Sequence, residues 1–385
     1  MKKIAIVTTH PIQYYAPLFK LLAKEKELEL KVFYTWSQSQ SGKFDPGFGK
    51  TIEWDIPILD GYSFEFVENI SKDPGTHHYK GIVNPNLNVK IEDFGADVVL
   101  VIGWSFDSHF KTMKYFKGKI PVIFRGDSHL LDSVGLIKNL IRKISLRYVY
   151  SFVDYALYVG KNNKEYYKFC GLKENQLVYA PHAIDNDRFQ DPNNVYKTKA
   201  FEWREKIGIP KDGIVFLFAG KFEPKKRPDL LINSFIKAGM PNTFLILMGN
   251  GEMEKELISL SKAHEKRIYF LPFQNQSIMP IAYRMGNVFC LPSQGPGETW
   301  GLAVNEAMVC GLPILVSDKV GCAVDLIEQG KNGFVFTSND FNDLTDKIKL
   351  LGNVQIVSDM SLKSSEKIKN WNLNSVVQSI HNILK

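Results

Sequence analysis

No segment of this 385-residue sequence strings together the roughly 18 apolar residues that a membrane-spanning helix needs. The apolar run near its start, Ile4–Val7, is too short for a secretory h-region, so the chain is expected to stay in the cytoplasm. Cysteine is scarce. Cys170, Cys290, Cys310 and Cys322 form no CxxC pair and read as small apolar side chains rather than metal ligands or a disulfide framework. There is no GxGxxG after the first apolar run, which disfavours a dinucleotide-binding first unit. Zinc-finger spacing, an RNP-type aromatic motif and a heptad-linked basic region are missing too, so nucleic acid is not an expected partner. No short repeat or low-complexity tract interrupts the chain.

What is present is ordinary in amount and ordered in pattern. Hydrophobic residues make up 44% and charged residues 23%, as in soluble globular proteins, and the length suffices for two cores. The net charge of +7 is spread along the chain and favours anionic partners. Short apolar runs predict strands at Lys3–Val7, Leu28–Tyr34, Asp97–Ile102, Pro121–Arg125, Tyr155–Val159 and Leu177–Ala180. A second series falls at Val215–Ala219, Thr243–Met248, Ile268–Leu271, Val288–Leu291, Ile314–Ser317 and Phe334–Phe336. Helix-like stretches, among them Ala16–Lys24, Leu136–Phe152, Pro228–Ala238, Glu252–His264 and Asp340–Leu351, lie between them, and Asp359–Lys385 follows the last strand. The alternation predicts an α/β chain with two parallel, doubly wound sheets, divided at the polar stretch Gln190–Lys199.

The stretch Pro292–Val316 carries the chemistry. It sets Glu298 and Glu306 eight positions apart around a predicted helix start, with Gly295, Pro296 and Gly297 marking the turn before it. Backbone amides near Thr299–Ala303 would leave the helix N-terminus as a seat for phosphate. Two carboxylates beside a phosphate make sense if the ligand also offers vicinal hydroxyl pairs, since a carboxylate can accept two such hydrogen bonds. A diphosphate between two diol-bearing rings is a sugar nucleotide.

Other clusters stand at predicted strand ends, where ligands of α/β sheets bind. Gly220, Lys221, Lys225, Lys226 and Arg227 put four cations within seven residues after one strand. Gly249 and Gly251 end the next, as a seat for a base or as a tight turn. His10, Gln13 and Tyr14 follow the first strand and suit a sugar-lined cleft, although a lone His10 can equally be a cap. Arg125 and Asp127 follow Pro121–Arg125, either as site residues or as a pair tying loops together. Asp185-Asn186-Asp187 spells a metal-binding DxD, but its context favours a capped turn. Lys138, Arg142, Lys143 and Arg147 line a helix whose other faces carry Leu136, Ile137, Leu140, Ile141 and Ile144. Such a helix can rest on anionic lipid, or can be the wet face of a domain helix.

Glu298 and Glu306 within ETWGLAVNEAMVCGLPIL resemble the E-x7-E signature of retaining glycosyltransferases of family 4. GKFEPKKRPDLLI, LMGNGEMEKEL and APHAIDNDRF resemble that family's phosphate, nucleotide-side and inter-domain motifs, and THPIQYYAPLF a bacterial subgroup. The resemblance implies a GT-B fold, with two Rossmann-like domains facing across a cleft. Residues 1–190, with a returning helix at about 370–385, would bind acceptor, and residues 200–369 the nucleotide sugar. It implies a hexosyltransferase-type enzyme that is retaining and metal-independent. Such an enzyme has no cofactor beyond its sugar-nucleotide substrate, and it acts on a glycan or lipid-linked acceptor in cell-envelope polysaccharide synthesis. Contact with an anionic membrane would go with that acceptor. By that likeness Lys221 and Lys226 hold the pyrophosphate, helped by amides of Trp300, Gly301 and Leu302 beside Thr299. Glu306 would take the ribose hydroxyls and Glu298 those of the donor sugar. Three positions depart from the pattern: Lys221 replaces an arginine, Thr9-His10-Pro11 replaces a glycine pair, and Arg125 aligns with a histidine. The sugar-side contact then falls to Arg125 or Asp127. A sugar-nucleotide epimerase, or a non-catalytic binder of the same ligand, would share much of this sequence.

Overall fold

The computed structural model describes residues 1–41, 43–45, 50–132 and 135–385. It divides into two compact units, one made of Met1–Lys43, Ile56–His182 and Leu373–Lys385, the other of Phe44–Asp55 and Ala183–Asn372.

The first unit opens with the strands β1 (Lys2–Thr8) and β2 (Leu28–Tyr34); the short β3 (Lys43–Asp45) and β4 (Lys50–Ile52) follow at and within the second unit's Phe44–Asp55, and the first unit resumes with β5 (Ser63–Phe66) and β6 (Val98–Ile102). They continue as β7 (Val122–Arg125), β8 (Tyr155–Tyr158) and β9 (Leu177–Tyr179). Seven of them form a sheet in the order β5-β2-β1-β6-β7-β8-β9, while β3 and β4 pair separately. The second unit holds β10 (Ile214–Ala219), β11 (Thr243–Met248), β12 (Ile268–Leu271), β13 (Val288–Leu291), β14 (Ile314–Ser317) and β15 (Gly333–Phe336). Their order is β12-β11-β10-β13-β14-β15, with parallel pairing throughout.

The pattern follows from residue type. Strands covered by helices on both faces must be apolar at every position rather than at alternate ones, as β6 (VVLVI) and β10 (IVFLFA) are along their whole length. Both sheets reverse direction of winding beside their first strand. Each therefore has a switch point, where loops leaving two neighbouring strands part and open a crevice at the carboxyl edge. In the first unit that point lies between β1 and β6, in the second between β10 and β13.

The division between units falls at His182, ahead of the polar stretch 190–199. The latter half of that stretch is no free linker, since it opens the helix Val195–Lys206. Asp191 anchors it: its Oδ2 accepts from the Lys197 amide at 2.8 Å and lies 3.6 Å from Arg284 Nε. These bonds hold the Asp191 carboxyl below its usual range against the opposing effect of burial. Residues 44–55 group with the second unit, where Asn275 Nδ2 donates to the Glu53 carbonyl at 2.6 Å. The helix Leu373–Leu384 belongs to the first unit, and its Ser379 Oγ donates to the Tyr179 carbonyl at 2.6 Å.

The helix Leu136–Tyr150 departs from an ordinary amphipathic one. Leu146, Val149 and Tyr150 are buried, but Leu136, Ile137, Leu140, Ile141 and Ile144 are exposed. Among the described residues no helix is long and apolar enough to cross a membrane.

Candidate functional site

In the second unit, the loop leaving β10 and the loop leaving β13 meet at the switch point. Pro224–Lys226 form a single 3-10 turn, and Arg227 follows at φ 52°, so the chain doubles back before the helix Pro228–Ala238. Gln294 ties the two loops together, its amide donating to the Lys225 carbonyl at 2.9 Å and its Nε2 to the Pro224 carbonyl at 3.2 Å. This brings Lys226 Nζ onto Glu298 Oε2 as an ion pair, and Ser293 Oγ donates to the same oxygen at 2.9 Å. Both side chains are largely shielded, at 20% and 11% accessibility, so water screens their attraction less than it would at the surface.

Glu298 is held from behind. The Gly321 amide donates to its carbonyl at 3.1 Å and the Cys322 amide to that of Trp300 at 3.0 Å. Gly301 then turns at φ 94°, where a side chain would lie 3.0 Å from Val320, and starts the helix Leu302–Val309. The helix expected from Leu302 does start there, with amides of its first turn directed out of the helix. Trp300 is buried and donates from Nε1 to Asn305 Oδ1 at 2.8 Å, which fixes the turn below Thr299. Glu306 lies on the same helix and is 2% exposed, its Oε2 accepting from the Tyr283 hydroxyl at 2.7 Å. Tyr283 is absent from the residues picked out in sequence; it lies on another helix, Met279–Arg284, and only the fold joins the two.

Lys221 and Gly220 sit directly after β10. Gly249 and Gly251 are required by the packing of the chain itself. A Cβ on Gly249 would lie 1.9 Å from the Gly220 carbonyl, and one on Gly251 would lie 2.5 Å from that of Phe222. Their bareness lets the loops after β10 and β11 pack backbone to backbone, sealed by the Phe222 amide donating to the Asn250 carbonyl at 3.0 Å.

In the first unit the strand ends gather a second cluster. His10 takes a 2.8 Å hydrogen bond between its Nδ1 and Thr9 Oγ1 and stands edge-on to Trp36. Gln13 and Tyr14 are half-buried in the turn ahead of the helix Ala16–Leu22. Arg125, singled out as a sugar-side contact or an Arg–Asp tie, is 2% exposed. It donates to the carbonyls of Ala180 and Pro181, both at 3.0 Å. It is therefore a brace between the ends of β7 and β9. Asp127, by contrast, is partly exposed and lies 3.9 Å from His182 Nε2. His182 lies within the APHAIDNDRF stretch but is not among the candidate site residues read from the sequence, though a His-bearing turn directly after a strand is a readable signal.

Burial pushes the His182 imidazole down to about 4, helped by Arg125 and opposed by Asp127. His109 is also held down to about 4 by burial; its Nδ1 donates to the Gly103 carbonyl at 2.7 Å, so Nε2 accepts from Thr35 Oγ1 at 2.8 Å. Both are neutral in the folded protein, while the unfolded chain binds these protons near pH 6.5. Stability is accordingly full above pH 6.5 and falls as pH drops toward 4, by roughly 2 kcal/mol per histidine at pH 5. Denaturant titrations at pH 7 and 5 should show the loss, and His109→Asn should flatten it. Equal stability at both pH values would contradict this burial.

The DxD residues are a cap: Asp185 Oδ1 accepts from the Arg188 amide at 3.4 Å at the start of Asn186–Phe189. Among the described residues, Asp73, His77 and His78 bring possible ligand atoms within 4.8 Å of one another on an exposed loop, and His77 Nε2 is already hydrogen-bonded to Asp73 Oδ2 at 3.0 Å.

Comparison with known proteins agrees with this layout. The sequence is 29% identical over 192 residues to the O-antigen biosynthesis glycosyltransferase WclY of Escherichia coli, covering 49% of this chain and 50% of that one. It is 25% identical over 218 residues to the N,N'-diacetylbacillosaminyl-diphospho-undecaprenol alpha-1,3-N-acetylgalactosaminyltransferase of Campylobacter jejuni, covering 57% and 55%. The chain spans about half the length of the curated relatives it matches. Crystal structures of Anabaena HepE with UDP and of the lipopolysaccharide glycosyltransferase WaaG share the fold at 16% identity. Their TM-scores are 0.71 and 0.66, over 100% and 99% of this chain and 99% of each of theirs. The two-sheet architecture is thus the GT-B fold. Within it, residues 199–371, the part that holds the Lys226–Glu298 pair, match the family of glycosyl transferases group 1.

Proposed function

We propose that the protein is a retaining, metal-independent glycosyltransferase of the E-x7-E, family 4 type. It moves a hexosyl group from a nucleoside-diphosphate sugar to a hydroxyl of a glycan or lipid-linked acceptor. The setting is cell-envelope polysaccharide synthesis at the cytoplasmic face of the membrane, in peripheral contact with it. The observation that carries this is the shielded Lys226–Glu298 pair at the switch point of the second sheet. A cation and a hydroxyl-accepting carboxylate in direct contact match a ligand in which phosphate and sugar are bonded to each other. The relatives support the setting: one is named for O-antigen synthesis, another for an undecaprenol-linked acceptor, and a fold neighbour holds UDP.

In this reading negative charge grows on the departing nucleoside diphosphate. Lys221, Lys226 and the amides of Trp300, Gly301 and Leu302, next to Thr299, neutralise it as it forms. Glu306 accepts from the ribose hydroxyls, steadied by Tyr283. Glu298 accepts from hydroxyls of the donor ring while its anomeric carbon becomes oxocarbenium-like. Asp127, with His182 beside it, faces the acceptor side together with His10, Gln13 and Tyr14, and Arg125 positions the turn that carries Asp127. No cofactor takes part beyond the donor.

A thermal-shift panel of UDP-, GDP-, dTDP- and ADP-sugars tests the reading. A ligand at 100 times its Kd adds about 2.7 kcal/mol, a rise of several degrees. One nucleotide series should raise the melting point, and the donor should be consumed only when acceptor is supplied. No shift with any of the four would end the proposal.

A further inference from the structure

We propose that the helix Leu136–Tyr150 docks the protein onto an anionic lipid bilayer by immersing its outward apolar side chains. The inference rests on the function proposed above only for its purpose, access to a lipid-linked acceptor. The surface itself is defined by the fold. The inner face of the helix is already provided for: Leu146, Val149 and Tyr150 are buried in the first unit's core. A domain helix needs no second apolar face. Yet Leu136 is 89% exposed, Ile137 77%, Leu140 60%, Ile141 60% and Ile144 64%. By the 3.6-residue repeat these side chains form one stripe, opposite the buried face. A contiguous patch of large aliphatic groups in water marks a binding surface rather than a stable resting state.

Charge decides what covers it. The helix has no acidic residue; Lys138 flanks the stripe on one side and Lys143 and Arg147 on the other, while Arg142 lies toward the buried side. Arg142 and Lys143 are steadied over the rings of Tyr166 and Phe169, at 5.7 and 5.5 Å from the centroids. Among the described residues none of the four forms an ion pair, so their charge is available to a partner. A second copy packed face to face would set these cations against their own counterparts, and like charges repel. A layer with anionic head groups above acyl chains complements both features at once. At 15 residues the helix lies along such a layer rather than through it.

Flotation of the full chain with vesicles, without donor or acceptor, tests this independently of transfer. Binding is expected to phosphatidylcholine vesicles that contain phosphatidylglycerol, to weaken with salt, and to be negligible with phosphatidylcholine alone. The triple variant Ile137→Gln/Ile141→Gln/Ile144→Gln removes only outward groups, so its melting point should match the parent while its partition falls at least about tenfold. Lys138→Gln and Arg147→Gln should each weaken binding roughly fivefold. Transfer to a soluble acceptor should be unchanged in all three. The proposal is overturned if the parent ignores phosphatidylglycerol vesicles or if the triple variant binds them as well as the parent. A parent dimer that the isoleucine substitutions dissolve would overturn it equally.

Discussion

Replacing Lys226 by alanine is expected to lower sugar transfer by about 10²–10³ while the two sheets remain folded. In the proposed mechanism the ammonium stands where the leaving diphosphate gains charge; the Gln294 ties between loops and Glu298 hold it in place. No reorganisation is then needed at the moment of reaction, which is why a fixed charge outperforms water. The substitution also strands the Glu298 carboxylate, and removing one partner of a shielded pair can cost several kcal/mol. The double variant Lys226→Ala/Glu298→Gln separates the two effects. It should recover the melting point of the parent and remain slow. Lys226→Arg keeps the charge but changes its shape, and intermediate turnover is expected. Single-turnover assays with saturating donor read all three. Parent-like rates for Lys226→Ala would remove the basis of the proposed mechanism.

Glu306→Gln should weaken donor binding by about 10–100-fold, the equivalent of roughly 1.5–3 kcal/mol for a hydrogen bond to a charged group. The amide keeps the size of the side chain and can still accept from Tyr283, so the change isolates the lost charge. Tyr283→Phe is the companion measurement. It removes the hydroxyl behind Glu306 without touching the ligand, and a loss nearer 1 kcal/mol is expected. Calorimetric titration with nucleoside diphosphate alone, and then with the sugar donor, shows whether Glu306 acts on the nucleoside half. Equal affinity in parent and Glu306→Gln for both ligands would place the ribose elsewhere.

The strands that form the two cores were legible because a parallel strand between helix layers is one unbroken apolar run. All twelve predicted segments fall on strands. The ones that escaped were β5, the half-exposed edge strand SFEF, and the three-residue β3 and β4, too short to show a pattern. Glu298 and Lys226 were readable as charges at strand ends, but their direct contact was not, since 72 positions separate them. Arg125 was read either as a site residue or as a tie between loops, and the carbonyls that its two terminal nitrogens brace lie 55 and 56 positions away, beyond the reach of sequence reading. The outward isoleucines of Leu136–Tyr150 were hidden for a related reason, because periodicity shows that a stripe exists and not which way it faces.

The helix Leu373–Leu384 turns its buried Leu373, Val376, Val377 and Ile380 toward the first unit, where it meets the helix Ala16–Leu22. It is translated after the whole second unit. During synthesis, then, the flank of the first unit beside Ala16–Leu22 stays uncovered until this helix has emerged, even if its sheet is already formed.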